Sequence, residues 1–472
     1  MDSENEITIK PFPKEDALRV LESAIPDLLH VSIDPASLPF KRLERLIGAL
    51  KNGLSLLLEY PYVDRYFRDT YYMYFSSKFK TIGRDCIRVH IFDTPGFRGL
   101  ESEKAANSYC GYFVVRPLES QLLGRSFIAP KAMADNNFIC VLATESATVL
   151  GVDFEVSGFP HVAQDTESQV CAESALWSLM EYYGLKYQEY KTVLPSTLIE
   201  NIERVTPERA LPSRGLNYLE VSACLRENGY RPKIYGYDPN DATADRIINT
   251  YIESGIPLIL AIGNGSAGHA ILVIGHEKKS ITFEQLHKPL TDIMVFKKSI
   301  AAIDDNREQY CLIDLDDPTP YPPLTDSKIH HFIVPLPRHV YLEAQRVLDF
   351  LDSILPKLLK LSSDKRLLYR AYLTSANSFK SVIRKDCEIP NATKQNLLRM
   401  ALPHFIWACE LYYPSDYPQS DADGICRGLV LIDATGKLSI TKKNIPGVIK
   451  IINIGQNAFK MKTYRHNLTG GW

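Results

Sequence analysis

Between Cys171 and Val334 the sequence segregates its periodicities. Three helical runs come first: Cys171 to Tyr183, Leu219 to Asn228 and Thr243 to Ser254. Strand-like runs follow at Ile256 to Ile262, His269 to Ile274, Ile293 to Phe296, Tyr310 to Leu315 and Phe332 to Val334. Helices grouped before strands exclude the alternating βαβ order of a parallel sheet and point to an α+β domain with an antiparallel sheet half. Gly184, Gly229 and Gly255 are read as helix stops. The stretch Gly263-Asn264-Gly265-Ser266-Ala267-Gly268 reads as a hairpin between two strands.

The flanking thirds are read as separate α+β units, 1–157 and 338–472, around a central domain at 158–337. In the first, Leu43 to Glu59 has helical spacing, and the aromatic-rich Tyr60 to Phe79 is read as largely helical. In the last, Val340 to Leu361 and Arg366 to Ile383 are read as helices. Phe405 to Leu411, Leu429 to Asp433 and Val448 to Ile454 are read as strands.

Cys171 is set apart from the other eight cysteines by position. It opens a helix whose Ala172, Leu176, Leu179 and Tyr183 share a face. The first turn of a helix carries unpaired N–H groups and a partial positive charge, which favour a thiolate. The others lie mostly in apolar runs, and the odd total of nine, the wide spacing and the lack of a Cys-x-x-Cys argue against a disulfide framework or a zinc site. Gln164, seven residues before Cys171, can offer its amide N–H to a carbonyl oxygen under attack, together with the Cys171 backbone N–H. Gln169 is the lesser alternative. His269 heads a strand between Gly268 and Ala270 and is the expected general base. His276 is the rival, on the opposite face by strand parity. The orienting acid is expected at Asp316, with Asp314 and then Asp317 behind it, at the end of the run from Gln309.

The segment from His161 through Gln164 and Cys171 to Tyr182-Tyr183-Gly184 resembles the front of the peptidase C39-like group of papain-fold cysteine peptidases. Tyr251-Ile-Glu-Ser-Gly-Ile-Pro and Gly268-His269-Ala-Ile-Leu-Val-Ile-Gly275 are similar to that group's second half, and Leu216 to Arg231 to its intervening helix. The resemblance covers the middle third. It implies a papain-like fold, a triad of Cys171, His269 and an acid near Asp316, and an oxyanion hole at Gln164. The chain departs from the group in having Ala172 where Gly is usual. It also places Asp316 47 residues after His269, which requires an insertion around Lys278 to Asp305. Tyr60 to Tyr72, Gly111 to Pro117 and His404 to Ala408 also resemble an uncharacterised set of bacterial proteins, which implies no function.

The expectation is therefore a cysteine peptidase or isopeptidase acting on a protein or peptide, with no cofactor and no metal. The alternatives are an acyltransferase of transglutaminase type using the same triad, or an inactive papain fold that only binds. The flanking units are expected to select substrate or to hold the enzyme inactive until a protein partner arrives. A net charge of -2 without a basic stripe gives no footing for nucleic acid. No apolar run is long enough to span a bilayer, and no secretory leader is read at the start, so the expected location is the cytoplasm. Asp93-Thr-Pro-Gly96 lacks the phosphate-binding loop that a GTPase would need and reads as a turn.

Overall fold

The computed structural model describes residues 7–452 apart from 95–102, 279–285, 287, 319–323, 362–365, 388, 418–424 and 439–446. The first six residues and the end of the Asp93 turn lie outside the described residues.

Helix and strand occur in nearly equal measure, consistent with the α+β expectation. The described strands form three sheets. The first has seven antiparallel strands in the spatial order Thr8–Pro13, Ser55–Tyr62, Cys86–Phe92, Tyr109–Val115, Leu123–Ile128, Val152–Val162 and Ala143–Val149. The second runs Cys311–Asp314, Ser299–Ile303, Gly268–Glu277, Leu258–Gly263, Lys328–Leu336 and Arg231–Gly236, also antiparallel. The third runs Leu290–Asp292, Leu367–Ser375, Phe405–Tyr412, Gly428–Asp433 and Val448–Ile452.

The helix Cys171–Lys186 packs between the first two sheets, against the strands Val152–Val162 and Gly268–Glu277. Sheets on two sides bury every residue from Ala172 to Tyr183, not one face alone. Gly184 lies inside this helix. A Cβ there would sit 2.4 Å from the Thr192 backbone nitrogen, so the glycine is required by close approach of another chain segment and stops nothing.

The divisions expected at 157/158 and 337/338 are crossed by the sheets. Val152–Val162 is one continuous strand of the first sheet. Phe138–Cys140 leaves the N-terminal segment to pair with the far end of Gly268–Glu277. Leu290–Asp292, in the middle segment, pairs in parallel with Leu367–Ser375 of the third sheet. A single buried apolar cluster runs from Phe12 to Ala434 through all three sheets.

Several local expectations are corrected. The helix near Leu43 is Leu38–Ala49, and Gly53 at φ +78° turns the chain into the strand Ser55–Tyr62. The aromatic run contributes only the helix Arg65–Met73 and a short 3-10 turn. Arg366 to Ile383 divides into the strand Leu367–Ser375 and the helix Ala376–Lys385. That strand is covered on both faces, and a doubly buried strand has a continuous apolar run that periodicity does not separate from a helix. Ile293–Phe296 is a 3-10 turn, capped by the Asp292 side chain.

Candidate functional site

Asp165 shapes the loop before the helix. Its Oδ1 accepts hydrogen bonds from the backbone N–H groups of Glu167, Ser168 and Gln169, at 2.9, 2.6 and 3.0 Å, and the carboxylate also takes the Ser168 hydroxyl. The loop thereby delivers Cys171 as the first helical residue, after an extended Val170 with no side-chain cap. The thiol is partly exposed, unlike seven of the other eight cysteines, which are buried. Ala172 points into the core, where its methyl is accommodated.

On the facing strand the turn is tied by Asn264, whose Oδ1 accepts from the N–H groups of Ser266 and Ala267. Gly265 supplies the positive φ of +86°. His269 follows immediately and is buried. Its Nε2 lies 2.9 Å from Oδ1 of Asp304 and 3.6 Å from Oδ1 of Asp305. With Nε2 engaged by Asp304, Nδ1 is the ring nitrogen left for the hydrogen bond with Cys171.

The carboxylate on His269 is thus Asp304, not Asp316. The strand beside the His269 strand is Ser299–Ile303, and Cys311–Asp314 is one strand further out. Pairing of Leu272 with Ile303 brings Asp304 level with Ile271, one same-face step from His269. Asp316 is two-thirds exposed and lies 3.7 Å from Lys298. Asp314 and Asp317 are exposed as well. The separation of acid from histidine is 35 residues.

The electrostatics follow from burial opposed by pairing. Desolvation lowers the affinity of the His269 ring for a proton. The hydrogen bonds to Asp304 and Cys171 and the charges of Asp304 and Asp305 outweigh it, holding the imidazole well above its ordinary range. Desolvation pushes Asp304 up, but the His269 hydrogen bond and charge and the Asn306 N–H bring it below the usual carboxylate range. Asp305 has no such donor. Burial, with the Asp304 charge adding to it, raises its carboxyl to about 7. Both its oxygens lack a hydrogen-bond partner. It lines a narrow crevice between helix and sheet, together with Cys171, Ser174, Ser178 and Ile303.

Gln164 is half-buried, and its Nε2 donates to Oδ1 of Asn306. Arg42, from the helix Leu38–Ala49, donates to the same Oδ1. Gln169 is buried, and its carbonyl closes the loop by accepting from Asp165 and Thr166. His276 is engaged elsewhere, 3.1 Å from Glu253 and 2.9 Å from the Glu277 carbonyl. Arg42, Asp304, Asp305 and Asn306 were not singled out from sequence. The available signal was the short apolar run Ile300–Ile303 ending in Asp-Asp-Asn.

Among the described residues, His269, Asp304 and Asp305 also bring ligand-type atoms within 4.8 Å of one another. That closeness is the spacing of a hydrogen-bonded histidine and its carboxylate, with Nε2 already taken. No protein-family model matches this chain, and no match to it is found among curated proteins.

Proposed function

We propose that the chain is a cysteine-dependent hydrolase of amide bonds, a peptidase or isopeptidase with a papain-like arrangement. The observation that carries this reading is the series Asp304, His269, Cys171, with the thiol at the opening of a buried helix.

In this mechanism His269 holds the Cys171 proton and leaves a thiolate. The sulfur attacks the amide carbon, forming a C–S bond while the carbonyl π pair moves to oxygen. The Gln164 amide and the Cys171 N–H stabilise that oxyanion. The His269 proton passes to the amine nitrogen, the C–N bond breaks and a thioester remains. Water, deprotonated by His269, attacks the thioester, the C–S bond breaks and the acid product leaves. Asp304 fixes the imidazole tautomer throughout.

The test is alkylation by iodoacetamide against pH, with each cysteine followed by peptide mapping. Cys387, which is exposed, serves as the internal reference. Cys171 is expected to react well below the free-thiol range of about 8.5, and His269→Ala to abolish this. Asp304→Asn is expected to slow peptide or ester turnover by about tenfold or more, the comparable change in a serine triad being about 10⁴. Asp316→Ala is expected to change nothing. A Cys171 that titrates alongside Cys387 in the parent would sink the reading.

A further inference from the structure

The contacts around Asn306 extend the site into the N-terminal sheet. Asn306 serves both halves of the site at once. Its backbone N–H donates to Oδ1 of Asp304 at 2.9 Å, the oxygen that also holds His269. Its side-chain oxygen accepts from Gln164 and from Arg42. An amide NH2 has two hydrogens. Giving one to Asn306 fixes the Gln164 side chain and leaves the other for an oxyanion.

The loop that carries Asn306 rests on two strands of that sheet, Leu123–Ile128 and Val152–Val162. Ser126 donates to Oε1 of Gln309 at 3.0 Å. Tyr310 donates to the Ile128 carbonyl at 2.6 Å and accepts from the Phe159 N–H at 2.9 Å. The His161 ring lies 3.4 Å from the Asp304 carbonyl oxygen. Burial holds that ring at about 4, so it is neutral at physiological pH.

We propose that Asn306 and Arg42 are positioning residues that aim the Gln164 amide at the oxyanion, so that the N-terminal unit supplies part of the catalytic apparatus. This rests on the hydrolase reading given above. Arg42 suits the task because its fixed planar guanidinium keeps Asn306 in one rotamer, where a flexible ammonium would not.

The experiment compares two reactions of Cys171 in the full chain. Iodoacetamide displaces iodide at a saturated carbon and forms no oxyanion. p-Nitrophenyl acetate acylates the thiol through a tetrahedral oxyanion and releases p-nitrophenolate. Asn306→Ala keeps the backbone N–H on Asp304 and removes the side-chain oxygen that Gln164 and Arg42 share. It is expected to lower the acylation rate about ten- to hundredfold, below the ~10²–10³ loss for deleting an oxyanion donor, with the iodoacetamide pH profile unchanged. Asn306→Asp, which keeps an accepting oxygen, should restore most of the rate. Arg42→Met should lower acylation in the same direction. If acylation is unaffected by Asn306→Ala, or if both reactions fall together, the positioning role is overturned. Failure of the hydrolase reading is seen separately, as an ordinary thiol profile for Cys171 in the parent.

Discussion

Asp305 is a buried carboxyl 3.6 Å from a histidine that Asp304 already holds. Burial outweighs the His269 and Arg42 charges and lifts it from the ordinary 3.8 to about 7. A raised acid is protonated in the folded chain and ionised in the unfolded chain between those values. Its contribution to stability is therefore full below about 4 and is lost as the pH rises through about 7. Three units correspond to a loss on the order of 4 kcal/mol. Asp305→Asn removes the ionisation, so the variant should gain stability relative to the parent between pH 5 and pH 8. Urea unfolding at the two pH values reads this difference. Equal pH dependence in parent and variant would count against a buried neutral Asp305. The same neighbourhood explains what was legible at this scale. Cys171 and His269 were legible because a helix opening and a Gly-His turn leave marks in local sequence. Asp304 was not, since its role depends on which strand lies next to the His269 strand. That is a fact of sheet order, and the exposed acids after Cys311 offered the stronger local signal. Arg42 lies 264 residues from its partner Asn306 and leaves no local mark.

Gly184 tests the same point for a whole element. Read locally, a glycine after Tyr182-Tyr183 ends a helix, yet Cys171–Lys186 continues past it. Propensity alone would make Gly184→Ala stabilising by about 1 kcal/mol. The packing predicts the opposite, because a methyl would meet the backbone at Lys191 and Thr192 within 2.4–2.8 Å. Backbone cannot step aside as a flexible side chain can, and overpacking of this kind costs about 1–3 kcal/mol. Gly184→Ala should lower the denaturation midpoint, measured by urea unfolding. A raised midpoint would show that the 191–192 segment yields easily. The helices near 218 and 243 and the hairpin at Asn264 were legible because caps and turn residues mark their ends. The strand Leu367–Ser375 was not, because its neighbours bury both of its faces and erase the alternation.

At the scale of the molecule, the middle third carries Cys171, His269 and Asp304, and the strands and buried pairs that cross its ends predict that it does not fold alone. A chain cut to 158–337 loses Val152 to Ser157 from a continuous strand and loses Phe138–Cys140 from the edge of Gly268–Glu277. It also strips partners from buried charges. Glu181, on the helix that opens with Cys171, is buried against Arg65 and Arg125 of the first sheet's segment. Glu253 is buried against Arg370 of the third sheet at 2.9 Å. Burial raises Glu253, and the Arg370 charge and the His276 hydrogen bond overcome it, holding the carboxylate at about 2. Without Arg370 the largest single part of that compensation goes. Removing one partner of a buried pair costs about 3–5 kcal/mol, and two such losses rival the whole stability of a typical domain, about 5–15 kcal/mol. The excised segment should therefore lack a near-ultraviolet circular dichroism signal and a cooperative urea transition, while the full chain has both. Extending the cut to residues 7–337 returns the first sheet, Arg42 and the Glu181 partners but leaves Glu253 without Arg370. It should recover part of the transition at a lower midpoint. A 158–337 segment that unfolds cooperatively would mean that the three sheets are separable units, with the buried pairs between them contributing little.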